Sequence, residues 1–370
     1  MAGLMFVAFG ASFLICLAAT YLVRRVSLRL GFVDRPGGHK THKASVALGG
    51  GIALTLAICG PVLLGTLAAW LHHRAYTSVP LPDILRPHMS GIASKLPSVL
   101  AIVAGAVVLH VVGLIDDCKP LGPWLKLIVQ AAVALFICGP VGVRAIEVLP
   151  PAGSVIVTAL WMVLVTNAFN FLDNMDGLSA GVAATAAAIF AIAAASTGQI
   201  FVPVMAWVMV GALAAFLCFN FAPASIFMGD AGSLVIGYWM AVITVLTTFY
   251  DPARNLTPLG VFVPVLVLAV PCYDVLSVVL HRLRQGESPF RGDRRHFSHR
   301  LVQNGLSQRG AVLTIYLATA ATGLPAIVLP RVDWGLALLL VGQCACVVIM
   351  IAILEHVPRA RPSKDRPGAA

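Results

Sequence analysis

Asn167-Ala-Phe-Asn-Phe-Leu-Asp-Asn-Met-Asp-Gly-Leu-Ser-Ala-Gly181 follows and overlaps an uncharged run from Val148 to Leu172. That run is long enough to cross a bilayer, for which about 20 apolar residues suffice. Two carboxylates and three amides therefore fall where a span should be ending. Read as a helix, Asn167, Asn170 and Asp173 recur every three residues, and Asp173 and Asp176 are i,i+3 neighbours on one face. An aspartate at mid-bilayer costs roughly 2.5 to 3.5 kcal/mol on insertion scales, so acids at such depth face protein interior or a water-filled cavity. A polar helix end that only marks the membrane surface would explain this stretch alone. It would not explain why the other charged clusters lie on the same side.

The whole chain is apolar. Of 370 residues, 59% are hydrophobic and 11% charged, against about 25% charged in soluble domains, so a polytopic membrane protein is expected. Most of the eight cysteines lie within or at the ends of apolar runs, where the thiol behaves as a small hydrophobe, and no disulfide framework is expected. Cys118, beside two aspartates, is nearest to polar chemistry. Spans can be read at 4–23, 47–71, 96–115, 127–143, 148–172, 177–197, 200–219, 231–250, 256–280, 310–330 and 334–354, and only the ninth contains a charge, Asp274. The fold class expected is all-α, with about 11 transmembrane helices, residues 1–354 as one domain, and residues 355–370 as a disordered basic tail. Met1 to Val23 lacks a basic leading region and precedes Arg24-Arg25, so no cleaved signal is expected.

Lys and Arg set the orientation. With the N-terminus outside, 19 of the 25 fall in inside segments, which also hold the C-terminus. Asp34, Asp116, Asp117, Asp173, Asp176, Asp230 and Asp293 fall on the same side, whereas only Asp83, Glu147, Asp251 and Asp333 lie outside. Membrane insertion gives no reason for the acids to be sorted in this way. A single cytoplasm-facing active site would.

Asp116 and Asp117 close the third span, followed by Lys119 and Lys126. Adjacent carboxylates repel unless a cation or a base role stabilises them. Asp230 opens the eighth span between Gly229 and Gly232, glycines that let backbone approach a ligand. Mg²⁺ takes one or two carboxylates plus waters and substrate phosphates, a demand that scattered aspartates meet. No Cys/His spacing suggests zinc. The inside loop from Arg282 to Arg309 holds seven basic residues with His296 and His299, suited to phosphate oxygens, with arginine giving bidentate contacts. A juxtamembrane basic cluster holding anionic lipid would account for the arginines, but it does not require the histidines. Metal-holding acids, phosphate-holding bases and a surrounding bilayer suggest phosphoryl chemistry on a lipid rather than nucleic-acid binding.

Five motifs in order, spanning Asp34 to about Leu301, resemble those of the bacterial polyprenyl-phosphate N-acetylhexosamine-1-phosphate transferases, the WecA/MraY superfamily of glycosyltransferase family 4. They are Asp34-Arg-Pro…Lys40-Thr-His42…Gly49-Gly50; Gly113-Leu-Ile-Asp116-Asp117…Lys126-Leu…Gln130; the opening stretch; Asn220-Phe-Ala-Pro-Ala-Ser-Ile-Phe227-Met-Gly-Asp230-Ala-Gly-Ser; and Pro271-Cys-Tyr-Asp274 through Pro289-Phe290…Asp293-Arg294-Arg295-His296-Phe-Ser-His299. The Lys-x-His at 40–42 and Asp-Arg-x-His at 293–296 look like the branch using UDP-N-acetylglucosamine or related donors. The Thr-Pro-Thr-type stretch of the MurNAc-pentapeptide branch is absent. Two residues depart from the family pattern. Ser298 replaces the middle histidine of His-x-His-His, and Asn174 stands where Gly is usual in Asp-Gly-x-Asp-Gly.

The resemblance implies transfer of N-acetylhexosamine 1-phosphate, chiefly GlcNAc-1-phosphate, from a UDP-sugar to polyprenyl (undecaprenyl) phosphate at the bacterial inner membrane. UMP would be released, and the product would prime an envelope polymer such as O-antigen or teichoic acid. It implies Mg²⁺, with Mn²⁺ able to substitute, held by Asp230. Asp116 or Asp117 would meet the lipid phosphate as base or orienting group. Asn170, Asp173, Asp176, Asn220 and Phe227 would form the nucleotide end, and Lys40, His42, Arg294, His296 and His299 would hold phosphates and sugar, the two histidines at the reacting groups. A homodimer is compatible with the small and apolar residues that any span could present.

Three rivals make different demands. A CDP-alcohol phosphotransferase needs Ala-Arg after Gly177 and further aspartates downstream, both absent. An ion-coupled transporter predicts broken helices in inverted repeats near the midplane. A non-catalytic homologue is suggested by Ser298 and Asn174 alone.

Overall fold

The computed structural model describes residues 1–35, 45–74, 83–146, 149–250, 256–288 and 296–356. Lys40, His42 and Arg294 lie outside the described residues, as does the tail from residue 357.

The chain is helical. α1 (Ala2–Leu30) leads through a two-residue antiparallel pair, β1 (Val33–Asp34) and β2 (Val46–Ala47), into α2 (Gly50–His73). A 3₁₀ turn and the short α3 (Met89–Ser94) precede α4 (Leu96–Cys118), α5 (Pro123–Cys138), α6 (Pro151–Leu172), α7 (Leu178–Ser196), α8 (Phe201–Asn220) and α9 (Gly229–Leu246). A 3₁₀ turn at Pro258–Phe262 runs into α10 (Val263–Val267), followed by α11 (Ala269–Arg284), α12 (Phe297–Gln303), α13 (Gln308–Gly323) and α14 (Trp334–His356).

Among the described residues, nine helices are long and apolar enough to cross a membrane, and a tenth span results if the bent pair around Leu268 is one crossing. The expected fourth span is α5. Its 16 residues rise only about 24 Å at ~1.5 Å each, short of the ~30 Å hydrocarbon core. The expected ninth span is not straight, because Pro258–Val267 meets Ala269–Arg284 at 65°. Pro271 explains the bend: it has no N–H for the carbonyl four residues back, and its ring clashes there. That carbonyl belongs to Val267, the last residue of α10.

α9 is the centre. It packs against α2, α4, α6, α7 and α8 and is buried along most of its length, with Tyr238 and Trp239 both enclosed. Tyr238 Oη donates to the Ile102 carbonyl at 3.0 Å, so even its one polar atom is satisfied. α1 and α14, by contrast, expose leucines, isoleucines and valines over much of their surface, as lipid-facing helices do. Backbones also approach closely between α4 and α9. A Cβ at Gly113 would overlap the Asp230–Ala231 peptide, and its absence lets the end of α4 rest on the start of α9.

The chain alternates direction, which brings the C-terminal ends of α4, α6 and α8 to the same face as the N-terminal ends of α2, α5, α7 and α9. Phe227 N donates to Ala47 O at 2.8 Å, while Gly50 N and Gly51 N donate to the Phe227 and Met228 carbonyls at 3.0 and 3.1 Å. The first amides of α2, which have no partner within the helix, are thereby satisfied by the segment that enters α9.

Candidate active site

Aspartates gather where α4, α5, α6 and α9 meet. Asp117, from the last turn of α4, accepts from the backbone N–H of Asp230 (2.8 Å) and of Ala231 (3.2 Å). It thus caps α9 from outside, placing negative charge at the positive end of that helix. Gly229 allows this: its φ is 65°, and a Cβ there would collide with the Asp117 carboxylate. His110, two turns earlier on α4, lies 3.0 Å through Nδ1 from the Ala231 carbonyl. A carbonyl only accepts, so Nδ1 carries the proton.

Asp116 points another way. Its Oδ1 accepts from Leu121 N at 2.7 Å, and its Oδ2 is 3.1 Å from Lys126 Nζ. The same ammonium is 2.7 Å from Asp230 Oδ2, so one lysine on α5 joins carboxylates from α4 and α9. The other oxygen of Asp230 accepts from Asn170 Nδ2 at 3.0 Å, an amide that also lies 2.9 Å from Ser233 Oγ.

The opening stretch is helical only in part. α6 ends at Leu172, Asp173 has ψ of 48°, and residues 173–177 turn back before α7. The expected stripe therefore holds for Asn167 and Asn170, but Asp173 and Asp176 are not i,i+3 neighbours on a helix. The cause is tertiary. Asn220, buried at the end of α8, accepts from Gly177 N at 3.0 Å and donates to Ile226 O at 2.9 Å. Tyr316 on α13 donates to the Gly177 carbonyl, and Asp176 Oδ2 accepts from Ala224 N at 2.9 Å. Asn220 and Asp176 thus spend these polar atoms on the backbone of the two loops around Phe227. Among the described residues, no donor reaches the Asp173 carboxylate. Burial, followed by the charges of Asp230, Asp117 and Asp176, holds its carboxyl well above the usual carboxylate range.

On the far side, His296 stands at the N-cap of α12 and His299 lies in its first turn. His296 is buried, with Nδ1 2.9 Å from Asp274 Oδ2, and Phe297 N donates to Asp274 Oδ1 at 3.0 Å. The ring stands edge-on to Phe171 at 5.9 Å and 6.5 Å from that of His299. Asp274, expected near the inner end of its span, is 2% exposed and serves as the carboxylate partner of His296.

The structure therefore brings together Asp116, Asp117, Asn170, Asp173 and Asp230, and sets Asp176 and Asn220 in the adjoining loops. Sequence reasoning passed over Lys126 as a bridging cation, Ser233 as a neighbour of Asn170, and Asp274 as the support of His296. The charge inside the ninth span was the available signal for Asp274. Among the described residues, no three His, Cys, Asp or Glu side chains form a closed cation cage. The donor set instead suits a cation that takes one or two carboxylates and shares the rest with water and phosphate. Asp230 and the donor-free Asp173 have that character.

The chain is similar to known proteins along most of its length. The model of glycosyl transferase family 4 matches residues 99–248, the segment from α4 to just past α9 that builds the aspartate cluster. The chain is 35% identical over 328 residues to a decaprenyl-phosphate N-acetylglucosaminephosphotransferase of Mycobacterium tuberculosis, covering 81% of this chain and 76% of the relative. It is 29% identical over 371 residues to a probable undecaprenyl-phosphate N-acetylglucosaminyl 1-phosphate transferase of Bacillus subtilis, covering 98% and 94%. An undecaprenyl-phosphate alpha-N-acetylglucosaminyl 1-phosphate transferase of Yersinia pestis is 27% identical, over 90% of this chain and 89% of its own. With a relative 35% identical over three quarters of its length, and a family model that coincides with the helices holding the carboxylates, the chain belongs to glycosyl transferase family 4.

Proposed function

We propose that the protein transfers N-acetylglucosamine 1-phosphate from UDP-N-acetylglucosamine to a polyprenyl phosphate in the bacterial inner membrane, releasing UMP. The observation that carries this reading is the gathering of four carboxylates at the face where the helix ends converge: Asp116 and Asp230 joined by Lys126, Asp117 on the first amides of α9, and Asp173 beside them. In the reaction, an oxygen of the lipid phosphate attacks the β-phosphorus of the donor, and the bond from that phosphorus to the bridging oxygen breaks, leaving with UMP. Such phosphoryl transfer depends on positioning and charge neutralisation more than on covalent help from the protein.

Asp230 and Asp173 would hold Mg²⁺, which when bound neutralises diphosphate charge. Asp117 keeps α9 in place, so that Asp230 is presented at the first turn of that helix. Asp116 and Lys126 face the acceptor phosphate, the ammonium drawing it in and the carboxylate keeping the ammonium aimed. His296, whose Nδ1 is engaged by Asp274, offers Nε2 to the donor phosphates. Asn170 keeps Asp230 oriented, and the loops stapled by Asp176 and Asn220 shape the nucleotide end around Phe227. The basic bias of the loops supports eleven crossings with the N-terminus outside, α5 and the bent pair each counted once, and the cluster facing the cytoplasm.

The test is UMP release by purified protein with polyprenyl phosphate and Mg²⁺ over a panel of UDP-sugars, beside Asp230→Asn. Lipid-dependent release from UDP-N-acetylglucosamine, lost in the variant, is the expected result. Folded protein that releases no UMP from any donor would overturn the proposal.

A further inference from the structure

The two departures from the family pattern touch each other. Ser298 Oγ lies 2.6 Å from Asn174 Oδ1, 124 positions apart in the chain, and Ser298 is 1% exposed. The direction of the bond is set by a second contact: Asn174 Nδ2 donates to the Phe171 carbonyl at 2.8 Å, so the amide oxygen faces Ser298 and the hydroxyl must donate. Phe171, Asn174 and the turn between them meet α12 twice, through Phe171 against the His296 ring and Asn174 against Ser298. On its other side α12 is anchored by Asp274, which holds His296 and Phe297. The first turn of α12 is thus pinned between α11 and the turn bearing Asp173 and Asp176.

We infer that Asn174 and Ser298 form a matched latch that sets the distance between the Asp173–Asp176 turn and the histidines of α12, and so positions the UDP-sugar rather than the lipid acceptor. Both are positioning residues, acting through Asp173, Asp176 and His296. The inference rests on the transfer reaction proposed above. If either partner is lost, the other keeps a polar atom without its partner, fully buried at Ser298 and partly so at Asn174, and the turn and α12 no longer constrain each other. Neither residue should then matter once its partner is gone.

The experiment is a double-mutant cycle on UMP release, using wild type, Ser298→Ala, Asn174→Ala and the double variant, with KM for UDP-N-acetylglucosamine and for polyprenyl phosphate read separately. One hydrogen bond corresponds to about a five- to tenfold effect. Each single variant is expected to raise the donor KM by that factor and leave the acceptor KM unchanged. The double variant should match the singles rather than multiply them to about 25- to 100-fold. Ser298→Thr, which keeps the hydroxyl, should stay closer to wild type than Ser298→Ala. A multiplicative double variant, unchanged donor KM, or equal rises in both KM values would overturn the latch. If Ser298→Ala does not fold, Asn174→Ala decides the question by the same KM split, an unchanged donor KM overturning the latch. A wild type that releases no UMP would sink the proposed reaction instead. The latch would then be judged by the same cycle in thermal melting of the ligand-free protein, where additive shifts would overturn it.

Discussion

Lys126 stands between two carboxylates that different helices supply, and its removal would leave both facing each other. Lys126→Ala is expected to lower kcat/KM for UMP release by at least about 10²-fold, the scale of a lost electrostatic group in phosphoryl and acyl transfer. Lys126→Arg should recover part of it, because it keeps the charge but not the compact shape. Asp173 leads to a pH prediction. Its carboxyl holds a proton above the usual carboxylate range, and a divalent cation competes with that proton, so apparent Mg²⁺ affinity should rise as pH rises through its raised pKa. Half-saturation by Mg²⁺ measured from about pH 6 to 9 checks this, and Asp173→Asn should flatten the dependence. The acids themselves were legible in the sequence, since charge in an apolar chain is conspicuous. Their partners were not. Lys126 stood in the second motif after Asp116 and Asp117, but nothing along the chain tied it to Asp230, 104 positions away, and the contact of Asn174 with Ser298 joins residues 124 positions apart, a pairing that no local pattern encodes.

Elements were legible wherever hydrophobic length decided them. Each expected span overlaps a helix or the bent pair, because the bilayer demands internally hydrogen-bonded segments. The failures came where local chemistry overrides length. Pro271, visible in the sequence, breaks the ninth span, and the turn at 173–177 is held open by Asn220, Tyr316 and Asp176, which no periodicity reports. The meeting of α4 with α9 rests on the missing side chain of Gly113. Gly113→Val should push α4 off α9, separate Asp117 from the amides it caps, and cut UMP release more than tenfold with a lower melting temperature in detergent. Equal activity and melting would show that the two helices have room to spare. Asn220→Ala, which strands a Gly177 amide and an Ile226 carbonyl, should cost about 1–3 kcal/mol of stability, read as a lower melting temperature.

At the scale of the molecule, the sorting of acids to one side corresponds to the convergence of helix ends on one face. Cys118 is exposed there, beside the cluster. A membrane-impermeant maleimide should label it in inside-out vesicles and not in right-side-out ones, with the signal lost in Cys118→Ser; the reverse pattern would invert the proposed orientation. The encasement of α9 also bears on how the protein can change over generations. The helix that presents Asp230 is packed against five others, so most substitutions along it would disturb one or more of those packing surfaces. Escape from a compound seated on the aspartate cluster should therefore arise in the loops around Phe227 and in α12, and a saturation library selected under such a compound should return few changes in α9 and many in α1 and α14 that are merely neutral.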